Sequence, residues 1–252
     1  MKNLIRALTP SLALVLILAQ LIAVTPAFAA EATRARIVQT YDGLTLGGSD
    51  SYVTFGTASA LGLANFTVET WFRRDSAGVP AYTGTGGVMA IPLVAKGRHE
   101  DDGSNVDMNY FLGIESSTGV LTADFEEKPS GLNHPILGIT PIRMNTWYHA
   151  AVTYDGTTLR LYLNGFLERE LVVAKPVRND SIQHAAIGSA LDSTGAPEGF
   201  FGGAIDEVRI WDHARTILQI KEGMRYQINS ATSLSSSGLV AQWGFNEGCL
   251  SI

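Results

Sequence analysis

Two stretches of this chain concentrate carboxylates densely enough to suggest chemistry. GRHEDDGSNVD, Gly97 to Asp107, carries Glu100, Asp101, Asp102 and Asp107, and GSALDSTGAPEG, Gly188 to Gly199, adds Asp192 and Glu198. Acids this close repel one another, so they require solvent or a cation, and calcium is the hard cation that takes oxygen ligands from several loops at once. A rival chemistry is glycoside hydrolysis, which uses two carboxyl groups about 5–5.5 Å apart in retaining enzymes. In LTADFEEKP, Asp124 and Glu126 share one face of an extended run with Glu127 beside them. No hydrolase motif surrounds them, and the expectation is an exposed, charged strand face. The histidines at 99, 134, 149, 184 and 213 lack His-Glu-x-x-His spacing, and neither a Gly-x-Ser-x-Gly elbow nor a phosphate-cradling glycine loop occurs. His149, within a β run, reads as a packed residue.

The polypeptide that must position these groups has 252 residues, 46% of them hydrophobic and 17% charged, a balance that supports a folded core. Its formal net charge of −6 and lack of a basic run argue against nucleic acid as a partner. Cys249 is the only cysteine, so no intrachain disulfide or cysteine-based metal cluster forms. Residues 1–29 read as a secretory signal: Lys2 and Arg6, an apolar stretch from Leu12 to Val24, then Ala27-Phe28-Ala29, with cleavage before Ala30. An uncleaved anchor is the alternative, but the stretch is shorter than the ~20 apolar residues of a spanning helix. The expected product is secreted or held at the cell surface, with no membrane insertion after cleavage.

From Arg36 the sequence alternates short β runs with Gly, Asn, Asp and Ser. Expected strands are Arg36–Tyr41, Tyr52–Phe55, Phe66–Arg73, Ile91–Lys96, Asn109–Glu115, Val120–Glu126, Trp147–Tyr154, Thr158–Leu163, Phe166–Val172, His184–Gly188 and Ala204–Trp211. Asp155-Gly156 and Asn164-Gly165 supply positive φ cheaply and turn three of them into a meander. Leu159, Leu161 and Leu163 take one face of their strand, Arg160 and Tyr162 the other. Thr216–Arg225 instead spaces Ile217, Ile220 and Met224 as a short helix does. The expected class is all-β: a two-sheet antiparallel sandwich with one short C-terminal helix, over residues 36–225. Residues 230–252 form a Ser-rich linker and a strand-like run, Leu239 to Phe245.

Three blocks, FTVETWFRR (Phe66 to Arg74), NTWYHAAVTYDGTTLRLYLNG (Asn145 to Gly165) and FFGGAIDEVRIWDHART (Phe200 to Thr216), carry a resemblance. Together the sequence resembles the LamG-like jelly-roll family, near the pentraxin and laminin-G branches of the concanavalin A-like lectin/glucanase superfamily. The resemblance implies a jelly roll, an architecture that hosts lectins, adhesion modules and glycosidases alike. By position, the pentraxin calcium pattern falls on Asp101, Asp102, Asp192 and Glu198. Ala190 and Leu191 stand where pentraxins have acid or amide side chains, so a single ion or none is expected rather than two. Relatives also bind a structural calcium through an Asp at the position of Asp206, with Asp42 or Gly43 as partner. The glucanase motif Glu-x-Asp-x-x-Glu is broken, with Ala204 in the nucleophile's place and Arg209 in the acid/base's place. GLVAQWGFNEG (Gly238 to Gly248) looks like the opening of another copy of the module, against the reading that it adds a strand to this one.

The expected function is therefore non-catalytic recognition of carbohydrate or an extracellular protein, with calcium ordering the two acidic loops. A structural or adhesive module of a larger surface protein is the alternative, and a glycosidase comes third. The sequence sets neither the ligand nor the oligomeric state.

Overall fold

The computed structural model describes residues 43–104, 106–226 and 238–246. The signal segment, the expected strand Arg36–Tyr41, Asp42 and Cys249 lie outside the described residues. In chain order the strands are β1 (Leu44–Gly47), β2 (Val53–Thr54), β3 (Phe66–Arg74), β4 (Ala81–Tyr82), β5 (Met89–Lys96), β6 (Tyr110–Glu115), β7 (Val120–Asp124) and β8 (Ile136–Pro141). They continue with β9 (Trp147–Tyr154), β10 (Thr158–Leu163), β11 (Phe166–Val172), β12 (Ala185–Ile187), β13 (Ala190–Leu191), β14 (Pro197–Glu198), β15 (Gly202–Trp211) and β16 (Leu239–Trp243); the one α-helix among the described residues is α1 (Ile217–Gly223).

One sheet runs β1-β15-β3-β9-β10-β11 with β16 also on β15, and the other runs β2-β12-β5-β6-β7-β8 with β4 on β5. The pairings among the described strands are antiparallel, giving the all-β two-sheet sandwich that the strand spacing implied and the jelly roll that the resemblance implied. The expected turns are present: Gly156 has φ 88°, and Asn164 and Gly165 have φ 51° and 73°, the doubly positive pair of a tight hairpin. Between the sheets Leu159 and Leu161 join Phe66, Phe72, Tyr110, Phe125, Tyr154 and Phe201 in one buried core. Tyr162, on the opposite face of β10, packs with Ala151 beneath Ile220 of α1, so the helix covers the outer face of the first sheet.

Sequence reasoning missed β1, β4, β8, β13 and β14. Four are no longer than four residues, and β8 carries Gly138 and Pro141 with its last three residues exposed, so none shows a period. Leu239–Phe245, read either as a new module or as an added strand, contains β16, which pairs with β15 from Val208 to Trp211. Beside it Phe55 and Trp243 stack with centroids 4.1 Å apart. β1 takes the other half of the same edge, Gly202 to Ile205. The two meet at a bulge after Asp206, where Glu207 has φ 49°.

Thr216 caps α1 in a reciprocal box: its hydroxyl accepts from the Gln219 N–H, and the Gln219 carboxamide oxygen accepts from the Thr216 N–H at 2.8 Å. Thr216→Ala is expected to cost about 1 kcal/mol, read as a shifted urea midpoint at unchanged slope; an unshifted midpoint would show that packing alone holds the helix.

Candidate functional site

Along β7 and its continuation, Leu121, Ala123 and Phe125 face the core, which sends Thr122, Asp124 and Glu126 to the outer face of the second sheet. That face was expected to be exposed, but Asp124 is 1% and Glu126 2% exposed, and Glu127 is buried as well. The reason is tertiary. The Thr83–Val88 turn folds over the sheet, and its Thr83 hydroxyl donates to Asp124 Oδ2 at 2.6 Å. From the other side Arg178 Nε donates to Glu126 Oε1 at 3.0 Å, while His134 Nε2 lies 2.9 Å from Glu127 Oε2. Burial pushes the Asp124 carboxyl up to about 8, with the Glu126 charge adding and the Thr83 bond opposing. Burial likewise raises Glu126, against its bond to Arg178.

Next to these carboxyls the Gly97–Asp107 loop folds back to close a polar pocket of about 160 Å³. Asp107, Glu126 and Asn133 are the buried part of its lining, the loop also supplies His99, Glu100, Asp101, Gly103 and Ser104, and Thr85 and Gly131 complete it. Asp107 Oδ2 accepts from the Glu100 N–H at 3.2 Å and Oδ1 from Gln183 Nε2 at 3.3 Å. Burial first, then the charges of Glu126, Asp102 and Glu100, push Asp107 up to about 7, against the Glu100 N–H. Asn133 is 4% exposed and its Oδ1 has no hydrogen-bond partner. Its amide nitrogen is turned toward Gly84, which has φ 131° and no Cβ to block it. Tyr82 meets His99 edge-on at 5.2 Å, adding an aromatic pair beside the pocket.

The described calcium candidates fall in three places. Asp101 is exposed and lines the pocket. Asp102 is exposed and accepts from both the Ser104 N–H, at 2.7 Å, and the Ser104 hydroxyl, at 3.1 Å. Those bonds hold its carboxyl below the usual range. Asp192 and Glu198 are brought together, with Arg98 between them at 2.6 Å from Asp192 Oδ2 and 3.2 Å from Glu198 Oε2. Asp206, on the first sheet, is remote from this group in the topology; it is buried, its Oδ1 accepts from the Glu207 N–H, and the Gly43 backbone lies against it. Its other expected partner, Asp42, lies outside the described residues.

Sequence reasoning did not single out Arg98, Glu126 or Asn133 as site residues and named Asp107 only within its loop. The alternation that set Glu126 on the same face as Asp124 was visible; the covering turn was not. Arg209, in the broken glucanase motif, is buried: it reaches Glu207 Oε2 at 2.7 Å, the Tyr226 carbonyl at 2.6 Å and the Gly223 carbonyl at 2.7 Å. His149 is buried beside it, and burial together with the Arg209 and Arg215 charges lowers its pKa to about 3, which leaves the imidazole neutral.

The fold is shared with solved structures. The CBM40 of the Ruminococcus gnavus IT-sialidase, bound to α2,3-sialyllactose, is 15% identical with a TM-score of 0.57, over 71% of this chain and 95% of that one. A putative carbohydrate binding protein from Bacteroides ovatus is 22% identical with a TM-score of 0.52, over 82% of this chain and 53% of that one. The NanB sialidase from Streptococcus pneumoniae is 16% identical with a TM-score of 0.54, over 71% of this chain and only 26% of its own length. A search among curated proteins finds no match. The Laminin_G_3 family model matches residues 47–221, and the chain therefore belongs to that family of the concanavalin A-like lectin/glucanases superfamily.

Proposed function

We propose that the protein is a non-catalytic recognition module, exported or displayed at a cell surface, that binds carbohydrate in the pocket formed by the Gly97–Asp107 loop on the second sheet. The pocket carries the reading: carboxyl and amide oxygens from a rigid sheet and its loops, with Tyr82 and His99 alongside, suit an array of sugar hydroxyls and an apolar ring face. Two structures of similar fold are named for carbohydrate binding, which supports the same reading. Four carboxyl groups line the pocket, Glu100, Asp101, Asp107 and Glu126, and the negative charge among them disfavours an anionic ligand. The ligand class is therefore neutral glycans rather than sialylated ones.

The measurement is a glycan array with the purified protein, followed by titration of the best ligand against Asp107→Asn and against Asp101→Asn. Neutral glycans are expected to bind, with affinity falling about tenfold or more in Asp107→Asn, because a buried hydrogen bond to a ligand is worth on the order of 1.5–3 kcal/mol when one partner is charged. An array without neutral ligands, or binding indifferent to both variants, would overturn the site. Release of reducing sugar from any bound glycan would overturn the non-catalytic reading. Capture of an extracellular protein without any glycan would favour the adhesive alternative. A structural calcium belongs at Asp206 in this reading, where the Gly43 backbone packs so closely that a Cβ on it would lie 3.0 Å from the Asp206 Cβ. Bound there it would tie the start of β1 to β15.

A further inference from the structure

The Asp192 and Glu198 carboxylates already hold a cation, and it is part of the chain. Arg98 Nη2 donates to Asp192 Oδ2 at 2.6 Å and to the Ala196 carbonyl at 3.3 Å, and Nη1 donates to the His99 carbonyl at 2.5 Å and lies 3.2 Å from Glu198 Oε2. Two carboxylates and two backbone carbonyls are the kind of oxygen set a calcium ion takes. Here they are arranged for a planar guanidinium. The remaining capacity of Asp192 is spent locally, since its Oδ1 accepts from the Thr194 N–H, the Thr194 hydroxyl and the Ala196 N–H at 2.8–2.9 Å. Burial opposes ionisation of Asp192, but these bonds and the Arg98 charge outweigh it and hold the carboxyl below its usual value. A metal ion would have to displace Arg98 to bridge the two acids.

Side-chain hydrogen bonds supply further links around the two loops. Glu100 accepts from the Ser193 hydroxyl at 2.8 Å and the Ser193 N–H at 3.0 Å. Gln183 donates to Glu100 Oε2 at 3.0 Å and accepts from the Arg98 N–H at 2.7 Å. That approach depends on Gly97, at φ 97°, where a Cβ would lie 2.3 Å from the Gln183 oxygen.

We propose that Arg98 serves as the fixed counter-cation of the Gly97–Asp107 and Gly188–Gly199 loops, so that their order does not depend on calcium. This concerns loop order alone and is independent of the glycan reading.

The experiment uses the full exported chain in an Asp206→Asn background, which removes the other candidate calcium position. Melting temperature and limited proteolysis within the two loops are compared in calcium and in chelator. Neither is expected to change. Adding Arg98→Gln is expected to lower the melting temperature by about 4–8 °C and expose the loops to cleavage. It should also create a calcium response, because two carboxylates lose their counter-charge, and Asp192→Asn should abolish that response. A calcium-induced rise in the Asp206→Asn protein that Asp192→Asn removes would overturn the proposal without need of the Arg98 variant. So would an Arg98→Gln protein with unchanged melting and cleavage. Arg98→Lys, which keeps the charge but not the fork, should fall between the two.

Discussion

Arg209→Ala is expected to destabilise the protein by about 3–5 kcal/mol, the usual cost of removing one partner from a buried ion pair. Arg209 is 1% exposed and reaches from β15 to the end of α1. Its loss strands Glu207, which keeps only a 3.3 Å bond from the Asn246 carboxamide among its described side-chain partners, and removes one hydrogen bond from each of the Gly223 and Tyr226 carbonyls. Glu69 keeps Arg215 at 2.6 Å and the Trp211 indole N–H at 3.0 Å, so the damage centres on the bulge and the helix end. The check is urea unfolding followed by fluorescence, with Arg209→Lys alongside. Lysine keeps the charge but cannot make three forked bonds, and should recover only part of the loss. A midpoint in Arg209→Ala shifted by no more than an exposed arginine would give would mean that the network contributes nothing net to folding.

Asp124→Asn is expected to act in the opposite direction, and in a pH-dependent way. The native carboxyl titrates near 8, whereas an unfolded aspartate titrates near 3.9. Between about pH 4 and pH 8 the native chain therefore holds a proton that the unfolded chain has released, and stability falls as pH rises through that window. Each pKa unit is worth about 1.4 kcal/mol, so at pH 8 the buried group costs the native state several kcal/mol. Asparagine keeps the shape and the contact with Thr83 but carries no titrating proton. The variant should match the parent near pH 4 and exceed it progressively toward pH 8. Asp107, near 7, contributes the same sign over a narrower window and leaves a residual slope in the variant. Urea midpoints measured from pH 4 to 8 decide it: parallel curves for the two proteins would mean that Asp124 is ionised throughout.

Both effects fall on residues whose chemical type was plain in the sequence and whose surroundings were not. The period of two in Thr158–Leu163, the Asp-Gly and Asn-Gly turns and the helical spacing after Thr216 act between near neighbours, and each formed where it was expected. They carried the all-β class, the hairpins and the core side of each strand. The same alternation put Asp124 and Glu126 together on the outward face. What covered that face came from the Thr83–Val88 turn, some forty residues earlier, and from Arg178, some fifty later.

The acidic loops make the same point. Residues 97–107 and 188–199 announced that charge had to be balanced, because carboxylates at that density cannot stand alone in a low dielectric. Whether the balancing charge was an ion, solvent or a side chain depended on a contact across 94 residues, from Arg98 to Asp192. Local propensity and hydrophobic period are written in short windows of sequence and fix elements and faces. Burial, ion pairing and pKa depend on which distant segments arrive at a face, and only the packed tertiary structure decides that.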